Sequence, residues 1–314
     1  MAHGTHDYAA DPRNAGIKIN INGEFFSRDD AKISVFDSGF ILGDGVWEGL
    51  RVHEGIIVFL GHHLRRLYDG AKALDMEMAL SKQELTKRLY ATIDANEMYE
   101  GGHIRLMVTR GVKATPYQDP RVTISPPTIV IVPEFKSPVQ ETLDQGIRLF
   151  TVHVRRGYPD VQDQKLNSHS KINCILACIQ ATKAGADEAL MLDPHGFVAT
   201  CNSTHFFIVR DGEVWTSTGQ FCLGGVTRKM VIEAACDENI AIHEKNFSLA
   251  DVYGADEAFV TGTYAGLVPV REIDGRSIGQ WGGTTGPMVV RLRTAYRRQL
   301  DASIADGRNL EGRK

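Results

Sequence analysis

The stretch Leu223–Lys229, LGGVTRK, decides how the chain is read. Its two glycines make a turn, and the residues that follow carry Met230, Val231, Ala234 and Ala235 at helical spacing. A glycine turn running straight into a helix leaves the amides of Val226 and Thr227 without intrahelical acceptors. The positive end of the helix dipole adds to them and the Thr227 hydroxyl can join, so the turn is a candidate cradle for an anion. Neither Walker A nor dinucleotide spacing is present. A second piece, VTGTYAG (Val260–Gly266), places Thr261 and Thr263 among glycines at the end of a strand pattern, where backbone amides can again meet an oxyanion. The two pieces together point to a small phosphorylated cofactor rather than a polymeric substrate.

Outward from these pieces the pattern is mixed. IKININGEFF reads as a strand and VWEGLRVHEGIIVF as a hairpin turning at Glu54-Gly55. Two helical segments follow, HHLRRLYDGAKAL and SKQELTKRLYATIDANEM, the second opening on a Ser81-x-x-Glu84 capping box. HIRLMVTRG and PTIVIVPEF read as strands, and the polar KSPVQETLDQ reads as a linker. IRLFTVHVRR begins the second half as a strand. ADEALMLD, THFFIVRDG and EVWTS are further strands, and PMVVRLRTAYRRQL is a terminal amphipathic helix. Strict βαβ alternation is missing, which excludes a TIM barrel and a Rossmann sheet. The expectation is an α+β, mixed α/β architecture of two domains: a small one over 1–135, a linker over 136–144 and a larger one over 145–314.

Composition narrows the function. With 43% hydrophobic and 24% charged residues the chain has the make-up of a soluble globular protein. A net charge of -4 gives no electrostatic reason to expect nucleic acid or an anionic membrane. No apolar run nears the roughly 20 residues that cross a bilayer. MAHGTHDYAADPRNAG has neither a basic start nor an apolar core, so no signal or transit peptide is expected. The five cysteines are odd in number and sit mostly in apolar stretches, which suits free thiols and a cytoplasmic protein. Cys174 and Cys178 lie one helical turn apart, but no ligand cluster follows them, and no metal is expected.

Four motifs in register resemble the class IV (fold type IV) aminotransferases that use pyridoxal phosphate: the branched-chain amino acid, D-amino acid and (R)-amine transaminase group. LGDGVWEGLR (Leu42–Arg51) resembles the family's Y/F-G-x-x-x-F/W-E-G-I-R segment. HLRRL puts Arg66 where the family carries a phosphate arginine. LGGVTR resembles the L-P-G-I-T-R cup, with Val226 and Thr227 on the phosphate and Leu223 against the ring. TGTYA resembles the closing S-G-T loop and gives Thr263 and Tyr264. The resemblance covers nearly the whole chain. It implies a cofactor held between the two domains, and a homodimer whose partner lends residues to the site.

Two columns depart from the family. In QKLNSHSKINCILA (Gln164–Ala177), the column of the Schiff-base lysine falls on Asn167, and an asparagine amide cannot form that bond. Lys171 lies four positions on, in a column where relatives carry a tyrosine beside the cofactor's phenolic oxygen. One helical turn is about 5.4 Å, within a lysine's reach. Lys165 lies two positions before Asn167, on the same face of an extended segment. Lys171 is the expected amine and Lys165 its alternative. The ring-nitrogen glutamate is replaced by Thr200 of VATCNSTHFF, which offers a hydroxyl and no charge, so a weaker electron sink is expected.

The resemblance implies a transaminase working by ping-pong exchange of an amino group between an amino acid or primary amine and a 2-keto acid. Arg105 and Arg110 are candidates for the substrate carboxylate, in columns resembling the branched-chain and the D-amino acid enzymes respectively. Period-2 geometry puts 103 and 105 on one face and 108 and 110 on the other. Phe40 and Trp47 are candidate pocket walls. Branched-chain-like substrates are expected first, with (R)-amines or D-amino acids next. A same-fold lyase of the aminodeoxychorismate type and a non-catalytic cofactor-binding relative are the remaining alternatives.

Overall fold

The computed structural model describes residues 4–6, 10–279 and 285–308, so residues 1–3 and 7–9 of the N-terminal stretch lie outside it. Two compact units divide the chain. The N-terminal unit comprises Tyr8–Ser137, Leu166–Ser170 and Ala302–Lys314, and the C-terminal unit comprises Met1–Asp7, Pro138–Lys165 and Lys171–Asp301.

The N-terminal unit is built from β1 (Lys18–Ile21), β2 (Glu24–Ser27), α1 (Ser38–Leu42), β3 (Gly45–His53), β4 (Ile56–Ile57), α2 (Leu60–Ala73), α3 (Lys82–Ala95), β5 (Gly102–Thr109) and β6 (Thr128–Phe135). Its sheet runs β2-β1-β6-β5-β3-β4. IKININGEFF is a hairpin rather than one strand. Asn22 and Gly23 both take positive φ (53° and 102°), the conformation a two-residue turn demands, and β2 folds back on β1. The turn at Glu54-Gly55 has the same signature, with φ of 51° and 72°. Leu64, Leu67, Leu85 and Leu89 pack on Leu50, Ile104 and Leu106 to form this unit's core. The Ser81–Glu84 capping box forms and sets the start of α3.

The C-terminal unit follows with α4 (Gln140–Gln145), β7 (Ile147–Thr151), α5 (Pro159–Gln162), α6 (Ile172–Lys183), β8 (Glu188–Leu192), β9 (Val198–Cys201), β10 (His205–Arg210), β11 (Glu213–Thr216), α7 (Val226–Asp237), β12 (Ile242–Glu244), α8 (Leu249–Tyr253), β13 (Glu257–Gly262), β14 (Gly266–Ile273), β15 (Arg276–Ser277) and α9 (Pro287–Ala305). The sheet runs β12-β11-β10-β13-β14-β7-β8-β9, with β15 on β14. β7 and β8 are parallel, so the connection between them must cross over, and α6 supplies the crossover. Ala177 and Ala181 of α6 pack on Ala189 and Met191 of β8.

Two expected elements differ. The stretch read as linker contains α4, whose last turn is closed by Gly146 at φ 76° donating to the Thr142 carbonyl, while Arg293 of α9 caps the Leu143 carbonyl. The strand read over IRLFTVHVRR ends at Thr151, because Asp274 accepts from both its amide and its hydroxyl.

Candidate functional site

The LGGVTR turn sits above the antiparallel pair β10–β13. His205 donates from Nε2 to the Leu223 carbonyl at 2.6 Å, and the Gly225 amide donates to the same oxygen at 2.8 Å. A Cβ on Gly225 would come within 2.4 Å of the His205 ring, so the second glycine is demanded by close approach; a Cβ on Gly224 would meet nothing. α7 starts directly after Gly225 with no side-chain cap, and the Val226 and Thr227 amides have no acceptor among the described residues. Thr261 faces His205 across the ladder, fully buried, and its hydroxyl has no hydrogen-bond partner among the described residues. Donors lacking acceptors therefore converge beneath one helix N-terminus, the arrangement that an oxyanion with several acceptor oxygens completes. A phosphate group fits it. Thr263 and Tyr264 lie in the tight turn joining β13 to β14, and Tyr264, 4% exposed, stacks on His6.

Thr200 lies on β9, buried, and donates its hydroxyl proton to the Thr204 carbonyl at 2.8 Å. The Thr204 hydroxyl in turn donates to Glu188 at 2.7 Å. Burial pushes the Glu188 carboxyl up, against the hydrogen bonds it receives from Thr5, Thr204 and Ser203. Burial likewise raises the Cys201 and Cys222 thiols, so both stay protonated at neutral pH.

Lys171 is the N-cap residue of α6 and is half-buried; Lys165 is exposed. Between them, Leu166–Ser170 docks along β3 in the N-terminal unit. Trp47 donates its amide to the Asn167 carbonyl at 3.0 Å, and the Asn167 side-chain amide donates to the Trp47 carbonyl at 2.6 Å. Ser168 pairs with Val46, and the His169 amide donates to the Gly45 carbonyl. Asn167 is thus a docking residue.

In the N-terminal unit, Arg66 is held by Glu48. Its Nε and Nη2 donate to the two carboxylate oxygens at 2.8 and 2.6 Å, and His63 Nδ1 donates to Glu48 at 2.7 Å. Glu48 is fully buried. Burial pushes its carboxyl up, but Arg66 and His63 outweigh that and hold it below the usual range. Burial, with Arg66, holds His63 below its ordinary value, so its ring is neutral.

The two candidate arginines are in opposite states. Arg110, just past β5, donates to both oxygens of Asp44 (2.7 and 3.1 Å) and to the Leu74 and Asp75 carbonyls. Arg105 stacks 3.9 Å over the Trp47 ring and makes no hydrogen bond or ion pair among the described residues. Phe40 is 70% exposed on α1. Sequence reasoning missed Glu48, His205 and Arg156. Glu48 lies inside the VWEGLR motif and was legible in principle.

Among the described residues no group of three or more His, Cys, Asp or Glu could hold a metal, and no helix is long and apolar enough to cross a membrane.

A family model described as amino-transferase class IV matches residues 45–273. The chain is 40% identical over 292 residues to branched-chain-amino-acid aminotransferase-like protein 2 of Arabidopsis thaliana, covering 93% of this chain and 52% of that protein. It therefore spans about half the length of that relative. It is 34% identical to the branched-chain-amino-acid aminotransferase of Pseudomonas aeruginosa, over 88% of this chain and 90% of the relative. Among solved structures, the T.th. branched-chain amino acid aminotransferase complexed with N-(5'-phosphopyridoxyl)-L-glutamate is similar with a TM-score of 0.83 at 32% identity, over 92% and 95% of the two chains.

Proposed function

We propose, on the premise that the chain belongs to the class IV amino-transferase family, that it is a pyridoxal-phosphate-dependent aminotransferase. It moves an amino group between an amino acid or primary amine and a 2-keto acid, in two half-reactions of ping-pong type. The observation that carries this reading is the set of acceptor-less donors at the start of α7, which a phosphate completes. When bound, pyridoxal phosphate supplies the carbonyl that captures an amine and the ring that delocalises the charge left on Cα.

The chain's own residues do the rest. Val226, Thr227 and Thr263 hold the phosphate, Leu223 lies against the ring, and Tyr264 closes the turn that carries Thr263. Arg66 is carried into the proposal by its sequence setting and by the way Glu48 fixes its guanidinium. Lys171, at the head of α6, is the amine that would hold the cofactor covalently and would move the proton to and from Cα. Arg105, with Glu134 nearby but in no ion pair among the described residues, takes the substrate carboxylate, with Trp47 fixing its plane. Arg110 is committed to Asp44 and is assigned a structural role.

Branched-chain-like substrates come first, supported by the relatives above, ahead of (R)-amines or D-amino acids. Ile172, Ile175, Leu176 and Ile179 leave an exposed apolar stripe on α6, which supports a homodimer. Five unpaired cysteines support the cytoplasm. The test is borohydride reduction of the cofactor-loaded protein followed by peptide mapping. A pyridoxyl adduct on Lys171 is expected. One on Lys165 would move the amine, and bound cofactor with no lysine adduct would overturn the aminotransferase reading.

A further inference from the structure

We propose that Arg156 donates a hydrogen bond to the pyridine nitrogen of the cofactor, which stays unprotonated, and that Thr200 makes no donor contact to it. The inference rests on the reading above, and concerns the C-terminal unit alone.

Arg156 is 8% exposed and follows β7, its amide donating to the Leu192 carbonyl. Its side chain reaches the first turn of α6. Nη1 donates to Cys174 Sγ at 3.2 Å and, weakly, to Asn173 Oδ1 at 3.4 Å. Nε is buried without a partner, and Nη2 has none among the described residues; no carboxylate lies within ion-pair distance. A buried guanidinium in that state bears a desolvation cost that no protein acceptor offsets.

The sheet places Thr200 on the face that packs against α6, the helix Arg156 reaches. Thr200 and Met191 are register partners, so their side chains share a face. Met191 packs on Ala177 and Ala181 of α6, and α6 is the helix whose first turn Arg156 touches. On that face Thr200 cannot act as donor, because its one proton goes to the Thr204 carbonyl. Arg156 has unmet donors and Thr200 has none. Of the surrounding groups, the Cys201 and Cys222 thiols are held protonated by burial, and the Glu188 oxygens already accept from Thr5 and Thr204 rather than from Arg156. What such a site accepts is a neutral lone pair, and a cation alongside it opposes protonation of a pyridine.

The test is the 15N resonance of cofactor labelled at the ring nitrogen and bound to the full chain, followed between about pH 6 and pH 9. The expected signal is that of an unprotonated, hydrogen-bonded pyridine with no one-bond proton coupling. Arg156→Gln removes the cation, and a pyridinium signal should then enter at the acid end of the range. Should that variant fail to fold, Thr200→Glu brings a carboxylate to the same face and should produce the pyridinium signal at neutral pH. A protonated nitrogen in the parent protein overturns the inference, as does an unchanged pH response in the variants. The borohydride adduct reads out the aminotransferase reading separately, so an adduct with a protonated ring defeats this inference alone.

Discussion

Replacing Glu48 by glutamine removes a charge and almost no volume from the centre of the N-terminal unit. In the parent, one fully buried carboxylate accepts Arg66 at 2.8 and 2.6 Å and His63 at 2.7 Å. Hydrogen bonds to charged groups contribute about 1.5–3 kcal/mol each, and breaking a buried pair by removing one partner costs about 3–5 kcal/mol. Glutamine keeps one acceptor oxygen but turns an NH2 toward donors, so E48Q should cost about 3 kcal/mol and E48A up to about 5. For a unit of this size 3 kcal/mol lowers the melting temperature by about 6–12 °C.

The pH dependence has a definite sign. The folded-state pKa of Glu48 lies below its ordinary 4.5, so its contribution is complete above that value and disappears as pH falls through the lower, folded one. His63 is also depressed, from an ordinary 6.5. The unfolded chain takes up a proton there that the folded chain refuses, so the parent loses stability below 6.5 as well. Acidification should therefore weaken the parent in two stages, and H63Q should remove the first. Calorimetry or circular dichroism from about pH 7.5 to about pH 4 reads both. An E48Q protein melting within about 1 °C of the parent at neutral pH would refute the buried-pair account.

R105A should reduce kcat/KM by about 10–100-fold, mainly through KM for the carboxylate substrate, without moving the melting temperature. R110A should do the reverse, because its partners are Asp44 and two backbone carbonyls. G225A drives a methyl into the His205 ring and should weaken cofactor retention at least tenfold by equilibrium dialysis, whereas G224A, with nothing within 4 Å, should not. I175K places a charge in the exposed stripe of α6 and should shift the protein from dimer to monomer in light scattering; an unchanged mass would detach that stripe from assembly.

What the sequence showed and what it hid divide along a physical line. Local chemistry was legible. The Ser81–Glu84 box, the turn at Glu54-Gly55 and the glycine turn before Val226 each depend on neighbours a few residues away. The hairpin at Asn22-Gly23 was legible too, since Asn-Gly is a strong turn signal, but the apolar alternation around it read as one strand. Partner choice was not legible. Arg105 and Arg110 look alike on paper, and only the fold gives one of them Asp44 and leaves the other stacked on Trp47. Arg156 was invisible for the same reason, because lacking an acceptor is a property of packing. The motif positions of Arg66, Val226, Thr227 and Thr263 came through resemblance, and the fold adds why two of them have free donors.

The proposed displacement of the lysine can be tested on the docking segment itself. If Asn167 is asparagine because Leu166–Ser170 must lie along β3, then a lysine restored to that position cannot regain the family's role. It would forfeit the 2.6 Å bond to the Trp47 carbonyl and bury an ammonium at a site only 5% exposed, a cost of several kcal/mol. Lys171 is the first residue past the docked segment and the one from which α6 begins, so an amine rooted there leaves the β3 contacts untouched. K171M should therefore abolish the borohydride adduct, and N167K added to K171M should not bring it back, although the double variant carries a lysine in the family's own column. Recovery of the adduct on the introduced lysine in that variant would show that the segment tolerates an amine there, and the docking explanation for Asn167 would have to be given up.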